Sequence, residues 1–149
     1  MDEQVRQRAR KRRRPLREAA SALELAIAAP AGTGSVWRDR VRTRVTAVRA
    51  ALEDHIIEVE GPGGLAEEIR AEAPRLISLM NRLQGEHGDL REAVGRILET
   101  IRGIPTKPSE DQVAAVREAV TSFLGRISRH RQKGADLVYE AYCVDIGGE

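Results

Sequence analysis

The chain holds three histidines, His55, His87 and His130. Imidazole is the side chain suited to exchanging protons near neutral pH or to holding iron, zinc or copper. Each of the three falls on an apolar line that advances in steps of three and four residues. The line around His130 is Val113, Val116, Val120, Phe123, Ile127, His130, Gly134, Leu137 and Ala141. The line around His55 is Trp37, Val41, Val45, Val48, Leu52, His55 and Val59. The line around His87 is Leu76, Met80, Leu83, His87, Leu90, Val94, Ile97 and Ile101. Such lines face the interior of a helix bundle. A histidine on one must find a partner or a metal, because an unpaired buried polar group costs about 1–3 kcal/mol. The nearest acid to this set is Glu58, at i+3 from His55 on almost the same face. The candidate metal ligands are therefore His55, His87, His130 and Glu58. The alternative reading of the same spacing is a metal-free set of buried histidines that satisfy one another or a seam-edge glutamate.

Four helices must position these side chains. The first is expected from Pro15, seated in its first turn, to Ala29, with Leu16, Ala20, Leu23 and Ile27 inward. The segment 30–35 is a loop in which Thr33 or Ser35 can cap the second helix, about Val36 to Glu60. Gly61, Pro62, Gly63 and Gly64 break the chain. An acidic helical stretch over 65–73 meets Pro74, and a third long helix follows up to the stop at Gly103 and Pro105. Ser109 caps the last helix, with Glu110 and Asp111 in its first turn, and that helix is expected to reach Cys143. The predicted fold is all-α, an up-down four-helix bundle. It divides into a basic N-terminal extension (1–14) and the bundle (15–149).

Depth imposes a condition. His55 lies only ~9 Å from the end of its helix at 1.5 Å per residue. His87 can share that level only if the helix carrying it starts near Pro74, ~20 Å away. A helix unbroken from Gly64 would hold it ~35 Å away and separate the rings. Gly85, Gly88 and Gly134 beside the histidines each weaken a helix by about 1 kcal/mol, which predicts close helix approach or something bound there.

Composition excludes several classes. The single cysteine, Cys143, allows no internal disulfide, and no apolar run approaches the ~18 residues of a membrane span. A cytoplasmic protein is expected. No nucleophile–base pair, phosphate loop or cysteine cluster points to an enzyme. The net charge of +2 hides an asymmetry. Residues 1–17 carry eight basic side chains against Asp2 and Glu3, whereas the remainder has 17 basic and 21 acidic residues. Residues 6–17 could touch nucleic acid or another anionic surface. They lack interleaved aromatics for base stacking, and arginine outnumbers lysine 22 to 3 throughout, so a solvated or helix-extending end is the expectation.

Three stretches, ALEDHIIEVE (51–60), LQGEHGDL (83–90) and RHRQKGADLVYEAYCVDIGGE (129–149), resemble the hemerythrin-like (HHE cation-binding) family. The resemblance covers most of residues 16–148. It implies a four-helix bundle around non-haem iron, with His55, His87 and His130 matching family histidines. The family's other ligand positions are altered here. Ala19 and Ala20 stand where the first helix offers a histidine, Val59 and Gly134 where bridging acids occur, and Arg91 where a second histidine follows His87. Three histidines and one carboxylate supply one iron rather than two. The resemblance therefore implies a degenerate centre holding a single non-haem metal, for sensing, storage or oxygen-related chemistry. The competing reading is a metal-free interaction or scaffold module with a basic tail.

Overall fold

The computed structural model describes residues 3–32 and 35–144, and these are helical, without a strand among them. Four long helices, α1 (Glu3–Ala28), α2 (Ser35–Glu60), α4 (Ile77–Gly103) and α5 (Glu110–Tyr139), are joined by a short helix α3 (Leu65–Glu72), a 3₁₀ turn (Pro74–Leu76) and a terminal π turn (Glu140–Val144). Contacts run from α1 to α2, α2 to α4, α4 to α5 and α5 back to α1, so the four close a ring around a shared interior.

The lines read from the sequence lie inside that ring. On α4, every member from Leu76 to Ile101 is buried, His87 included. On α5, all are buried except Gly134, which is half-buried. On α2 the departure is His55 itself, half-buried, with its neighbour Ile56 taking a core place. The buried apolar residues form two clusters. The larger draws on α1, α2, α4 and α5, from Trp37 and Ile104 to Leu52, Leu90 and Ile127. The smaller joins Val59, Ile69, Met80, Leu83 and Leu137 where α3 covers one end. Each histidine falls between the two clusters along its helix: His55 between Leu52 and Val59, His87 between Leu83 and Leu90, His130 between Ile127 and Leu137.

The break before α4 is real. Ala73 leaves helical geometry with φ −141° and ψ 63°, and α4 restarts at Ile77 after the 3₁₀ turn. Proline disfavours a helical residue before it, and Pro74 uses its missing N–H at the first position of a new turn. The start of α5 carries the expected cap. Ser109 Oγ accepts from the Gln112 amide at 3.1 Å while Gln112 Oε1 accepts from the Ser109 amide at 2.8 Å, a reciprocal arrangement that satisfies two orphan donors. The other end of α5 differs from expectation, because the α-helix stops at Tyr139 and the last residues widen into the π turn.

One expectation for the N-terminal half changes. The first helix does not begin at Pro15. It runs from Glu3 through Pro15, and Leu16 is the first buried side chain described. Arginine, lysine and glutamine are strong helix formers, Pro15 is exposed so that water can satisfy the carbonyl it leaves unpaired, and Arg14 Nε pairs with Glu18 at 2.9 Å across the proline. The side chains of Arg6, Arg8, Arg10, Lys11, Arg12 and Arg13, weighed above as contacts to an anionic surface and expected to be a solvated or helix-extending end, lie outside the described residues, as does Thr33. Ser35 is the first residue of α2.

Phe123 is 2% exposed in the larger cluster. We expect Phe123→Ala to destabilise the protein by about 3–5 kcal/mol, whereas Leu25→Ser, at a position 74% exposed, stays within about 0.5 kcal/mol. Denaturant midpoints at equal slope check both, and equal losses would contradict the assigned core.

Candidate metal centre

The ring of helices brings all three imidazoles together. Their ligand nitrogens lie within 4.8 Å of one another, and the ring centroids are 5.3 Å (His55–His87), 5.4 Å (His55–His130) and 4.9 Å (His87–His130) apart, all edge-to-face. His87 is 2% exposed and His130 4%. Nε2 of His55 stands 3.3 Å from Nε2 of His130. Two nitrogens sharing one tetrahedral metal at about 2.0–2.1 Å stand about 3.3–3.4 Å apart, so this pair already has the spacing of two ligands.

The outward nitrogens of two rings are held by acids from other helices. Nδ1 of His87, on α4, meets Glu60 Oε1 from the end of α2 at 2.8 Å. Nδ1 of His130, on α5, meets Glu86 Oε1 from α4 at 2.9 Å, and the second oxygen of Glu86 accepts from Lys133 Nζ at 2.8 Å. An ionised carboxylate can only accept, so a neutral ring facing one donates from Nδ1 and keeps its lone pair on Nε2. Acid behind an imidazole in this way raises its strength as a ligand and fixes its orientation. Glu86 is not among the candidate ligands read from the sequence, because it stands off the seam of its own helix. Glu86 lies about 100° from His87 on α4, a direction that leads to α5.

Burial favours the neutral form of His55 and His130. Burial pushes His55 down to about 3, with the neighbouring His130 and His87 and then Arg131 adding to it. Burial likewise lowers His130 despite the opposing pull of Glu86. Burial alone would raise Glu86, but the hydrogen bonds from Lys133 and His130 prevail and lower it, holding the carboxylate ionised. Neutral imidazole with an exposed lone pair is the form a transition metal requires.

A cavity of about 50 Å³ adjoins the rings, walled by Val59, Leu65, Met80, Leu83 and Val138, with Glu58, Arg131 and Gly134 also on its lining. That is room for a small molecule or a few waters. Glu58 therefore borders the same cavity as the histidines, while the cluster of mutually close ligand atoms consists of His55, His87 and His130. Of the two reasons expected for the glycines, close helix approach is corrected: a Cβ at Gly85, Gly88 or Gly134 would meet nothing within 4 Å. Close helix approach does not require them, and Gly134 alone of the three edges the cavity. Arg91 turns away to grip Glu53 of α2 through Nε at 2.6 Å and Nη2 at 2.8 Å. Tyr139 is exposed, and Asp136 accepts from Gln132 at 2.9 Å, so neither joins the triad.

No family model matches the chain, and neither a curated protein nor a solved structure matches it.

Because His55 is harder to protonate in the folded protein (about 3) than in the unfolded chain (6.5), the unfolded state takes up the proton first as pH falls. Stability is full above the unfolded value and is lost as pH drops through the window between the two. We expect metal-free protein to lose roughly 2 kcal/mol from His55 between about pH 7 and about pH 5, with His130 adding in the same direction. Denaturant midpoints at the two pH values, compared with His55→Leu, should show a shallower dependence in the variant. Equal slopes would rule out burial of a neutral His55.

Proposed function

We propose that this protein is a hemerythrin-like, up-down four-helix bundle that binds one transition-metal ion through His55, His87 and His130. The observation that carries this reading is the convergence of three imidazole ligand atoms within 4.8 Å. Two further features support it. Two of the rings have carboxylates behind them, on Nδ1 of His87 and His130, the outer shell found around metal-ligating histidines. The layer also opens on an apolar cavity rather than being packed shut, as suits a centre that keeps a position open for a small ligand.

Iron is the metal implied by the resemblance, and a bound metal would supply Lewis-acid or redox character at the cavity. The chain's own residues do the rest. His55, His87 and His130 present the ring nitrogens. Glu58 borders the cavity and would offer a carboxylate as a further ligand. Val59, Leu65, Met80 and Leu83 give the cavity an apolar wall. The set of three histidines and one acid favours one ion over the two-metal centre of the family, which needs bridging carboxylates from positions occupied here by Val59 and Gly134. We read the role as metal binding for sensing or storage.

A second reading is a metal-free helical interaction module. It is favoured by one observation: the 3.3 Å approach of His55 and His130 also suits a hydrogen bond, which would satisfy the layer without an ion.

Elemental analysis of protein expressed with iron, zinc or manganese decides between them. We expect close to one metal per chain for wild type and a fall to about a tenth or less in His87→Ala, with circular dichroism confirming that the variant is folded. Content below about 0.1 per chain for wild type under every metal would sink the first reading and leave the second.

A further inference from the structure

We infer that Glu60 and Glu86 are positioning residues: they hold His87 and His130 in the Nδ1–H tautomer, so that both rings turn bare Nε2 lone pairs toward the centre before any ion arrives. The inference rests on the metal-binding reading for its purpose, but its physical content concerns the metal-free chain.

A neutral imidazole has one N–H and one lone pair, and the partner at one nitrogen decides the state of the other. At His87 the Nδ1 partner is Glu60, at 2.8 Å. At His130 it is Glu86, at 2.9 Å, and Glu86 cannot swing freely because Lys133 holds its other oxygen at 2.8 Å. Both acids come from a helix other than that of the ring they serve. Each interaction therefore also pins two helices at the level of the site. With the His130 proton committed to Glu86, its Nε2 can only accept. Two lone pairs facing each other at 3.3 Å repel, so without an ion His55 must carry its proton on Nε2 and donate it to His130 Nε2.

The three rings are thus unequal. His87 and His130 are ready ligands, while His55 is closed by its own proton. A cation needs three lone pairs. On uptake the His55 proton leaves Nε2 and one is gained at Nδ1, so the ring stays neutral and no net proton is released. His55 is placed for that exchange: it is half-buried and also lines an outer groove with Asp54, Glu58 and Pro15 that opens to solvent.

Long-range ¹⁵N–¹H NMR on the full chain with labelled histidine tests this, using zinc as a diamagnetic probe. Stripped of metal at neutral pH, wild type should show His87 and His130 as Nδ1–H and His55 as Nε2–H. Zinc should change the pattern of His55 alone. Glu86→Ala should release the His130 tautomer and weaken zinc binding about 10–100-fold, and Glu60→Ala should do the same at His87. Glu86→Gln and Glu60→Gln, whose amide oxygens can still accept from Nδ1–H, should keep the tautomers and recover part of the affinity. Finding Nε2–H at His87 or His130 in the metal-free wild type, or unchanged tautomers in both alanine variants, overturns the inference whatever zinc does. The expected tautomers without zinc uptake overturn only the metal-binding reading.

Discussion

A polar layer inside an apolar core must satisfy itself, and the structure around the three histidines follows from that requirement. His87 and His130 are almost entirely withdrawn from water, with an apolar cluster on either side of them. An unsatisfied ring nitrogen there would cost about 1–3 kcal/mol. Both buried rings have a partner instead: Glu60 at His87 Nδ1, and Glu86 and His55 at the two nitrogens of His130. These contacts tie α2 to α4, α4 to α5 and α2 to α5. The polar layer thereby specifies how the helices meet, which interchangeable Val and Leu contacts on either side do less well.

Helix depth is the second constraint. His55 lies near the end of α2, so α4 can deliver His87 to the same level only if the chain first doubles back through α3. Pro74 and the non-helical Ala73 provide the restart. The detour also walls the site, since Leu65 of α3 lines the cavity beside the rings together with Met80 from the first turn of α4. The smaller apolar cluster is then both the packing of α3 and the apolar side of the candidate centre.

The resemblance to hemerythrin-like proteins and the geometry point to different uses of acid. In that family carboxylates bridge metals from within the ligand set. In this chain the acids in hydrogen bond with histidine, Glu60 and Glu86, stand behind the rings. Imidazoles converging on one point with acid in the second rank suit the single ion proposed above. It also explains why Lys133 belongs to the arrangement although it touches no histidine: it holds the orientation and charge of Glu86.

The sequence by itself determined the helical class, the four long helices, the buried line on each, the Ser109 cap, the Pro74 break and the choice of His55, His87 and His130. All of these depend on local periodicity and turn chemistry, which act over three or four residues and can be read along one strand of text. Only the tertiary structure decided that Glu60 would serve His87 and Glu86 would serve His130, across 27 and 44 residues. It also decided that Arg91 would pair with Glu53 and that the glycines near the rings are not contact points. Those outcomes turn on how far one helix is rotated against the next. A side chain about 100° off its own seam is discarded by any rule confined to one helix, yet it is well placed to reach a neighbour. The helical run through Pro15 was hidden for a related reason: proline is penalised for the bond it removes, and the exposure that lets water replace that bond is a property of the folded molecule.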